Sequence, residues 1–290
     1  MKLKNCTEHC RVTPGAKVKL AKWPTHLSPL AQDKQDYQAK LDENVRQLSD
    51  LQDALYADQR YALLLIFQGM DAAGKDGAIK HVMSGVNPQG CQVHSFKQPS
   101  AEERAHDFLW RTTCRLPMRG HIGIFNRSYY EEVLITRVHP QILTAGQLPE
   151  ETLRNKKFWE HRYESIVDFE QHLRRNGTIV IKFLLHLSKG EQRRRFLERI
   201  DVPEKNWKFS QADVEERKYW DAYQEAFGQC LGATSTDEAP WYVIPADDKH
   251  SAHLIISRII VDTLKALPLQ APISKTRTTE LKAIRKLLEK

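Results

Sequence analysis

Residues 61–86 read Tyr61-Ala-Leu-Leu-Leu-Ile-Phe67, then Gln68-Gly69-Met-Asp71-Ala-Ala-Gly74-Lys75, then Asp76-Gly-Ala-Ile-Lys-His-Val-Met-Ser-Gly-Val86. The first seven residues form an unbroken apolar run of strand length, as expected of a strand covered on both faces. The middle fits G-x-x-x-x-G-K, and the remainder is compatible with a helix. Each piece answers a need of a bound phosphate. Glycines let backbone N–H groups turn inward, a helix N-terminus adds positive potential, and a lysine reaches the terminal phosphates. The bare pattern is a weak signal, and the buried strand before it with the helix after it is what makes it a phosphate-binding loop.

Working outward, further strands are expected at Cys91–Phe96, His121–Phe125, Thr178–Leu187 and Trp241–Pro245. Helical patterns separate them. Asp33 to Tyr56 carries apolar residues at Tyr37, Leu41, Val45, Leu48, Leu51 and Leu55, which lie on one face. Pro149-Glu-Glu opens another helix, and Arg174-Arg-Asn-Gly177 closes it. Strands alternating with helices predict a P-loop kinase-like three-layer α/β/α fold with a central, mostly parallel five-stranded sheet. Before the last strand stands an insertion: a basic helix over Ser188–Arg199, a polar turn over Asp201–Phe209, and a second amphipathic helix over Ser210–Leu231. A helix over His250–Leu267 follows that strand. The organisation expected is an irregular N-terminal arm (1–30, punctuated by Pro14, Pro24 and Pro29), one phosphotransfer-type domain (31–267, with a helical lid at about 188–215) and a charged helical tail (268–290).

The composition of this 290-residue chain, 41% hydrophobic and 28% charged, excludes fibrous and disordered classes. No apolar run approaches the ~20 residues of a membrane span, and the first residues lack the apolar centre of a secretory signal, so a cytoplasmic protein is expected. Five scattered cysteines argue against a disulfide framework, and Cys6, His9 and Cys10 lack the second ligand pair of a zinc site. With 44 Lys+Arg against 37 Asp+Glu the net charge is +7, which suits a polyanionic partner without choosing one.

Two departures from the ordinary loop pattern matter. Lys75 is followed by Asp76 rather than the Ser or Thr that usually holds Mg²⁺, so either other residues hold the metal or Asp76 replaces that ligand while capping the helix. Asp71 either fixes the loop by accepting backbone hydrogen bonds or ligates the metal, and the second role is favoured. The His121–Phe125 strand ends on Asn126, where neighbouring strands of such loops usually supply an acid, and the acid comes five residues later as Glu131.

At this point the sequence resembles the family-2 polyphosphate kinases. The resemblance runs through Phe67-Gln-Gly-Met-Asp-Ala-Ala-Gly-Lys-Asp-Gly77, Asn87-Pro-Gln-Gly90, Phe108-Leu-Trp-Arg111, Phe125-Asn-Arg-Ser128, Trp207-Lys-Phe-Ser210, Thr234-Ser-Thr-Asp237 and Ala239-Pro-Trp-Tyr-Val-Ile244, covering roughly residues 30–265. It implies Mg²⁺-dependent phosphoryl transfer between inorganic polyphosphate and a nucleotide. Many members carry Asp where this chain has Asn126 and Asn where it has Glu131. The form seen here resembles the subgroup acting on both AMP and ADP, giving ADP and ATP. A homo-oligomer, dimer or tetramer, is implied by the resemblance alone.

No general base is required, because an acceptor phosphate with a second pKa of ~6 is largely ionised at neutral pH. The task is to bring two polyanions together. Asp71, Lys75, Arg127 and Glu131 are the catalytic candidates, with Asp71 and then Glu131 as metal ligands and Asn126, Glu131 and Arg137 as nucleotide contacts. Gly69, Gly74, Lys75, Asp76, Lys80 and Arg127 are expected on phosphate. The lid adds Lys189, Arg193, Arg194, Arg195, Arg199, Lys205 and Lys208, with Arg195 and Arg199 on one helix face. An ATP-dependent nucleoside monophosphate kinase shares loop, sheet and lid. A basic nucleic-acid-binding protein with a vestigial loop is the other alternative, opposed by the lack of any nucleic-acid module. The partners expected are therefore polyphosphate and AMP, ADP or ATP, with no nucleic acid and no membrane.

Overall fold

In the computed structural model, which describes residues 3–144, 148–270 and 275–289 (side chains of 4, 5, 208 and 275–278 excepted), strand β1 (Ala62–Gln68) is the middle of the sheet and every one of its residues is buried. β2 (Cys91–Ser95), β3 (Ile122–Asn126), β4 (Thr178–His186) and β5 (Trp241–Pro245) complete the order β2-β3-β1-β4-β5, and every pairing is parallel. A central strand flanked on both sides and covered on both faces has no solvent-facing position, which is why Leu63–Phe67 shows no polar alternation. The register sets Phe67 opposite Asn126 on one side and Phe183 on the other, so β1 and β3 end together. Ligands of open α/β sheets bind outside the carboxyl ends of such strands, where the strand order reverses.

One helical layer comprises Leu3–Cys10, Lys34–Asp58, Lys75–Val82 and Lys249–Lys265, and a second comprises Glu131–Val138, Phe158–Arg175 and Trp220–Thr234. Asp33 caps Lys34–Asp58 by accepting from the Asp36 N–H at 2.8 Å, and Gln59 ends that helix in a left-handed conformation, φ 55°. The same helix therefore runs two residues further than its apolar period indicates.

Three expectations need correction. The N-terminal arm is not irregular throughout: Leu3–Cys10 is helical, Cys6, Cys10, Val12 and Leu20 are buried, and Arg11 bridges to Tyr242 beside β5. Prolines at 14, 24 and 29 dominate the sequence signal there, while the helix exists because it packs on Lys249–Lys265. Its buried cysteine thiols are pushed up by desolvation, Cys10 to about 12, as suits core residues. The helix expected from Pro149 to Arg175 is two helices, Glu150–Arg154 and Phe158–Arg175, because the Asn155 side chain accepts from the Lys157 N–H at 2.8 Å and starts a new turn. The helix expected over Ser210–Leu231 is likewise Gln211–Glu216, a 3₁₀ turn at Arg217–Tyr219, and Trp220–Thr234.

Candidate functional site

The loop after β1 is shaped by two glycines. Gly69 has φ 152°, and a Cβ there would stand 2.8 Å from the Leu185 carbonyl oxygen. Gly74 has φ 100° and precedes the helix Lys75–Val82, whose first N–H groups have no intrahelical partner and so face any bound anion. Lys75 is buried, and its Nζ donates to the carbonyl of Gly69 at 2.7 Å and more weakly to that of Met70 at 3.4 Å, leaving a third N–H for a ligand. Burial lowers its pKa, and the nearby Asp71 carboxylate opposes that shift.

β3 delivers the second half. Its end residue Asn126 donates to Asp76 at 2.6 Å, so the amide and the loop's own acid restrain each other. Arg127 takes a left-handed backbone, φ 63°, and its N–H donates to the Phe67 carbonyl at 3.0 Å, tying the turn to the end of β1. Its guanidinium meets Asp71 at 3.0 Å. Burial works against the charge on Arg127, but Glu131 and Asp71 more than compensate and its pKa is raised. Glu131, first residue of the helix Glu131–Val138, has its pKa raised by burial against the pull of Arg127 and Lys75. Asp71, Lys75, Arg127 and Glu131 are thus one electrostatically coupled group, assembled from two loops that leave adjacent strand ends.

A cavity of about 850 Å³ opens beside this group. Its wall includes the loop from Asp71 to Gly77, Asn126 and Arg127, and it contains more cations than acids. Of the basic candidates, Lys75, Arg127, Arg195, Arg199 and Lys205 line it. Lys80, Lys189, Arg193 and Arg194 do not: all four are exposed, and Arg194 is paired with Glu191 at 2.7 Å and with Glu198 at 3.6 Å. The Lys208 side chain lies outside the described residues. Arg137 lies away from the cavity with its guanidinium 5.0 Å from the Trp159 ring centroid.

Arg195 needs a different role from the one its spacing indicates. Its guanidinium is buried, and every N–H is used: Nε on Glu191 at 2.7 Å, Nη1 on the carbonyls of Ala72 and Ala73 at 3.0 Å each, and Nη2 on those of Ala246 at 2.5 Å and Asp247 at 3.2 Å. No donor is left for a phosphate. Arg195 is a strut that holds the phosphate loop against the end of β5. Gln192, one turn earlier, adds a bond to the Asp71 carbonyl at 3.0 Å. The helix Lys189–Asp201 is therefore bolted to the loop by its first half, and its far end, with Arg199, and the 3₁₀ turn Pro203–Lys208 that follows, with Lys205 and the exposed Trp207, overhang the cavity.

Sequence reasoning missed two cavity cations. Lys97 follows β2 and Lys249 follows β5, and the rule that sites form at the carboxyl ends of parallel strands would have found both. Arg111, buried, donates to the Lys97 carbonyl at 2.8 Å and so fixes that edge of the cavity. Lys249 has its pKa lowered by burial and by Arg195 beside it.

A family model described as Polyphosphate kinase 2 matches residues 31–272. The chain is 57% identical over its full length to an ADP-polyphosphate phosphotransferase of Rhodopseudomonas palustris, which it also covers completely. It is 42% identical to an AMP/ADP-polyphosphate phosphotransferase of Meiothermus ruber, over 93% of this chain and 97% of that one. Among solved structures it resembles polyphosphate kinase 2 of Arthrobacter aurescens TC1, with a TM-score of 0.87 at 37% identity, covering 100% of this chain and 98% of that one.

Proposed function

The chain belongs to the polyphosphate kinase 2 family, and from that membership we propose that it transfers the terminal phosphoryl group of inorganic polyphosphate to AMP and to ADP, giving ADP and ATP. The observation that carries the mechanism is the coupled group of Asp71, Lys75, Arg127 and Glu131, of which Asp71, Lys75 and Arg127 line the cavity. Donor and acceptor are both polyanions. Lys75 and Arg127 offset their repulsion from fixed positions, and the loop amides add donors that need no reorganisation. Arg199, Lys205, Lys97 and Lys249 extend the cationic wall along which the donor chain lies. The overhanging segment from Arg199 to about residue 215 is the part of the lid free to close.

A divalent metal fits these residues as a companion of phosphate rather than as a caged ion. Among the described residues no three of His, Cys, Asp or Glu gather into a metal cluster. Asp71 and Glu131 offer one or two carboxylates, the share that Mg²⁺ takes from a protein when phosphates and waters supply the rest. When bound, Mg²⁺ neutralises charge on the transferring group. Asp71 can serve only by sharing its carboxylate with Arg127, and Glu131 only as the ionised form that Lys75 and Arg127 favour.

Use of both acceptors is supported by Asn126 and Glu131 standing where many relatives place Asp and Asn, and by the AMP/ADP activity in the name of the Meiothermus ruber protein; the Rhodopseudomonas palustris name carries ADP alone. The protein is read as a cytoplasmic homo-oligomer acting on free polyphosphate, not on nucleic acid or a membrane. Among the described residues no helix is long and apolar enough to cross a membrane. The test is a matrix of acceptors (AMP, ADP) against donors (polyphosphate, ATP). ADP and then ATP from AMP with polyphosphate as sole donor is expected. Product only with ATP would replace this reading with that of a nucleoside monophosphate kinase.

A further inference from the structure

Beneath the turn that carries Arg127 and Glu131 lies a charged group that does not line the cavity. Lys182, in β4, and Glu170, in the helix Phe158–Arg175, are both essentially inaccessible and meet at 2.5 Å. Each Lys182 N–H has an acceptor: Glu170 Oε2, the Thr234 carbonyl at 2.7 Å, and the Tyr130 hydroxyl at 3.1 Å. The other Glu170 oxygen accepts from the hydroxyls of Tyr129 and Tyr130, at 2.8 Å each. Consecutive residues of a strand point to opposite faces. Two adjacent tyrosines reach one carboxylate only because Ser128–Tyr130 is a turn, in which the Ser128 hydroxyl also accepts from the Tyr130 N–H at 3.1 Å.

We propose that Glu170 and Lys182 are positioning residues: through Tyr129 and Tyr130 they clamp the turn from beneath and so fix Arg127 and Glu131 at its two ends for phosphoryl transfer. This rests on the functional reading above. A buried ion pair is a poor source of stability, since desolvation offsets most of its attraction and apolar residues of equal volume often serve as well. A fully satisfied polar network does supply a single geometry. The positions it serves are those that need one. Arg127 holds a left-handed backbone that a non-glycine residue adopts at a cost, and it relaxes unless the turn is over-determined.

Tyr129→Phe and Tyr130→Phe, singly and together, cut the clamp without leaving a cavity; Glu170→Gln is the harsher variant and is the one at risk of not folding. Misplacement by about 1 Å costs on the order of a hundredfold in rate. The expected result for the double Phe variant is a kcat at least about tenfold lower with the KM for polyphosphate within about twofold of the parent. In an Arg127→Lys background the same two changes should cost less than about twofold, because the group they position is already compromised. Hydrogen exchange of the amides from Arg127 to Glu131 should quicken while that of β1 does not. Parental kcat in the double Phe variant, a loss that multiplies independently with Arg127→Lys, or unchanged exchange in the turn would each overturn the proposal. Absence of product from the parent would instead sink the functional reading, and the exchange measurement would still decide whether the tyrosines hold the turn.

Discussion

Arg195 and Arg199 lie one helical turn apart on the same helix face, and the protein uses them in opposite ways. Arg195 is buried and spends five N–H groups on four backbone carbonyls and Glu191. Arg199 is partly exposed, lies 3.8 Å from Asp213, and lines the cavity. The same contrast separates two regions. At the strand ends, Lys75, Arg127, Asp71 and Glu131 are held by backbone that the sheet has already fixed. On the lid, charge is abundant but mostly local, with Arg194 on Glu191 and Lys205 on Glu198. A net charge of +7 marks neither region. What distinguishes them is whether a cation is anchored at the strand ends, as Lys75 is on the Gly69 carbonyl, or by an acid of the lid itself.

The largest expected effect breaks the strand-end group. Lys75→Ala or Arg127→Ala should lower kcat/KM for polyphosphate by about three orders of magnitude or more, as loss of a fixed cation on a transferring phosphoryl group does. A loss below tenfold, measured by initial rates, would show that the lid carries the chemistry instead. Next, Glu131→Asn should reduce AMP phosphorylation about tenfold more than ADP phosphorylation, and equal losses would remove Glu131 from acceptor selection.

The strut and the overhang are separated by a pair of variants. Arg195→Met leaves four carbonyls and Glu191 without their donor, a buried loss of about 3 kcal/mol or more, so its thermal midpoint should drop by at least about 6 °C. Arg199→Met should leave the midpoint within about 2 °C while raising the KM for polyphosphate several-fold. If the two variants behave alike, the distinction drawn from their hydrogen bonds fails.

The smallest effect concerns pH. The folded-state pKa of Glu131 is raised above its ordinary value by burial, so the folded protein takes up that proton more readily than the unfolded chain. Its contribution to stability is therefore fully present below the ordinary carboxylate pKa of ~4.3 and is lost as pH rises through the raised value. Glu131→Gln should thus melt slightly higher than the parent at pH 7, by a degree or so, with the difference vanishing toward pH 4. Equal midpoints at both pH values would show that Glu131 is not held at a cost to stability.

The sheet was legible because its central strand has no polar position: Leu63–Phe67 admits no reading but burial on both faces, and all five strands fall within a residue or two of the apolar runs. The phosphate loop was legible for a related reason, since strand, glycines, lysine and helix are contiguous. The N-terminal helix was not, because it lacks a strong local signal and exists through contact with a helix some 240 residues away. The break at Asn155 turns on one side chain competing with the helix for an N–H. The role of Arg195 was misread for want of its partners: helical spacing gives a face, and only the tertiary structure shows that face filled by the carbonyls of Ala72, Ala73, Ala246 and Asp247. Lys97 and Lys249 escaped because they belong to no motif, only to the shared carboxyl edge of the sheet.

The most direct test follows both phosphate pools at once by phosphorus NMR, with polyphosphate, AMP and Mg²⁺ as the only additions. Direct transfer at the Lys75 and Arg127 site requires each phosphoryl group gained by the nucleotide (the β-phosphate of ADP, and the β- and γ-phosphates of ATP) to be matched by the loss of one interior phosphate of the polymer, with no orthophosphate released, and both changes to stop in Arg127→Ala. Orthophosphate accumulating in place of ADP, or undiminished transfer in the variant, would contradict it.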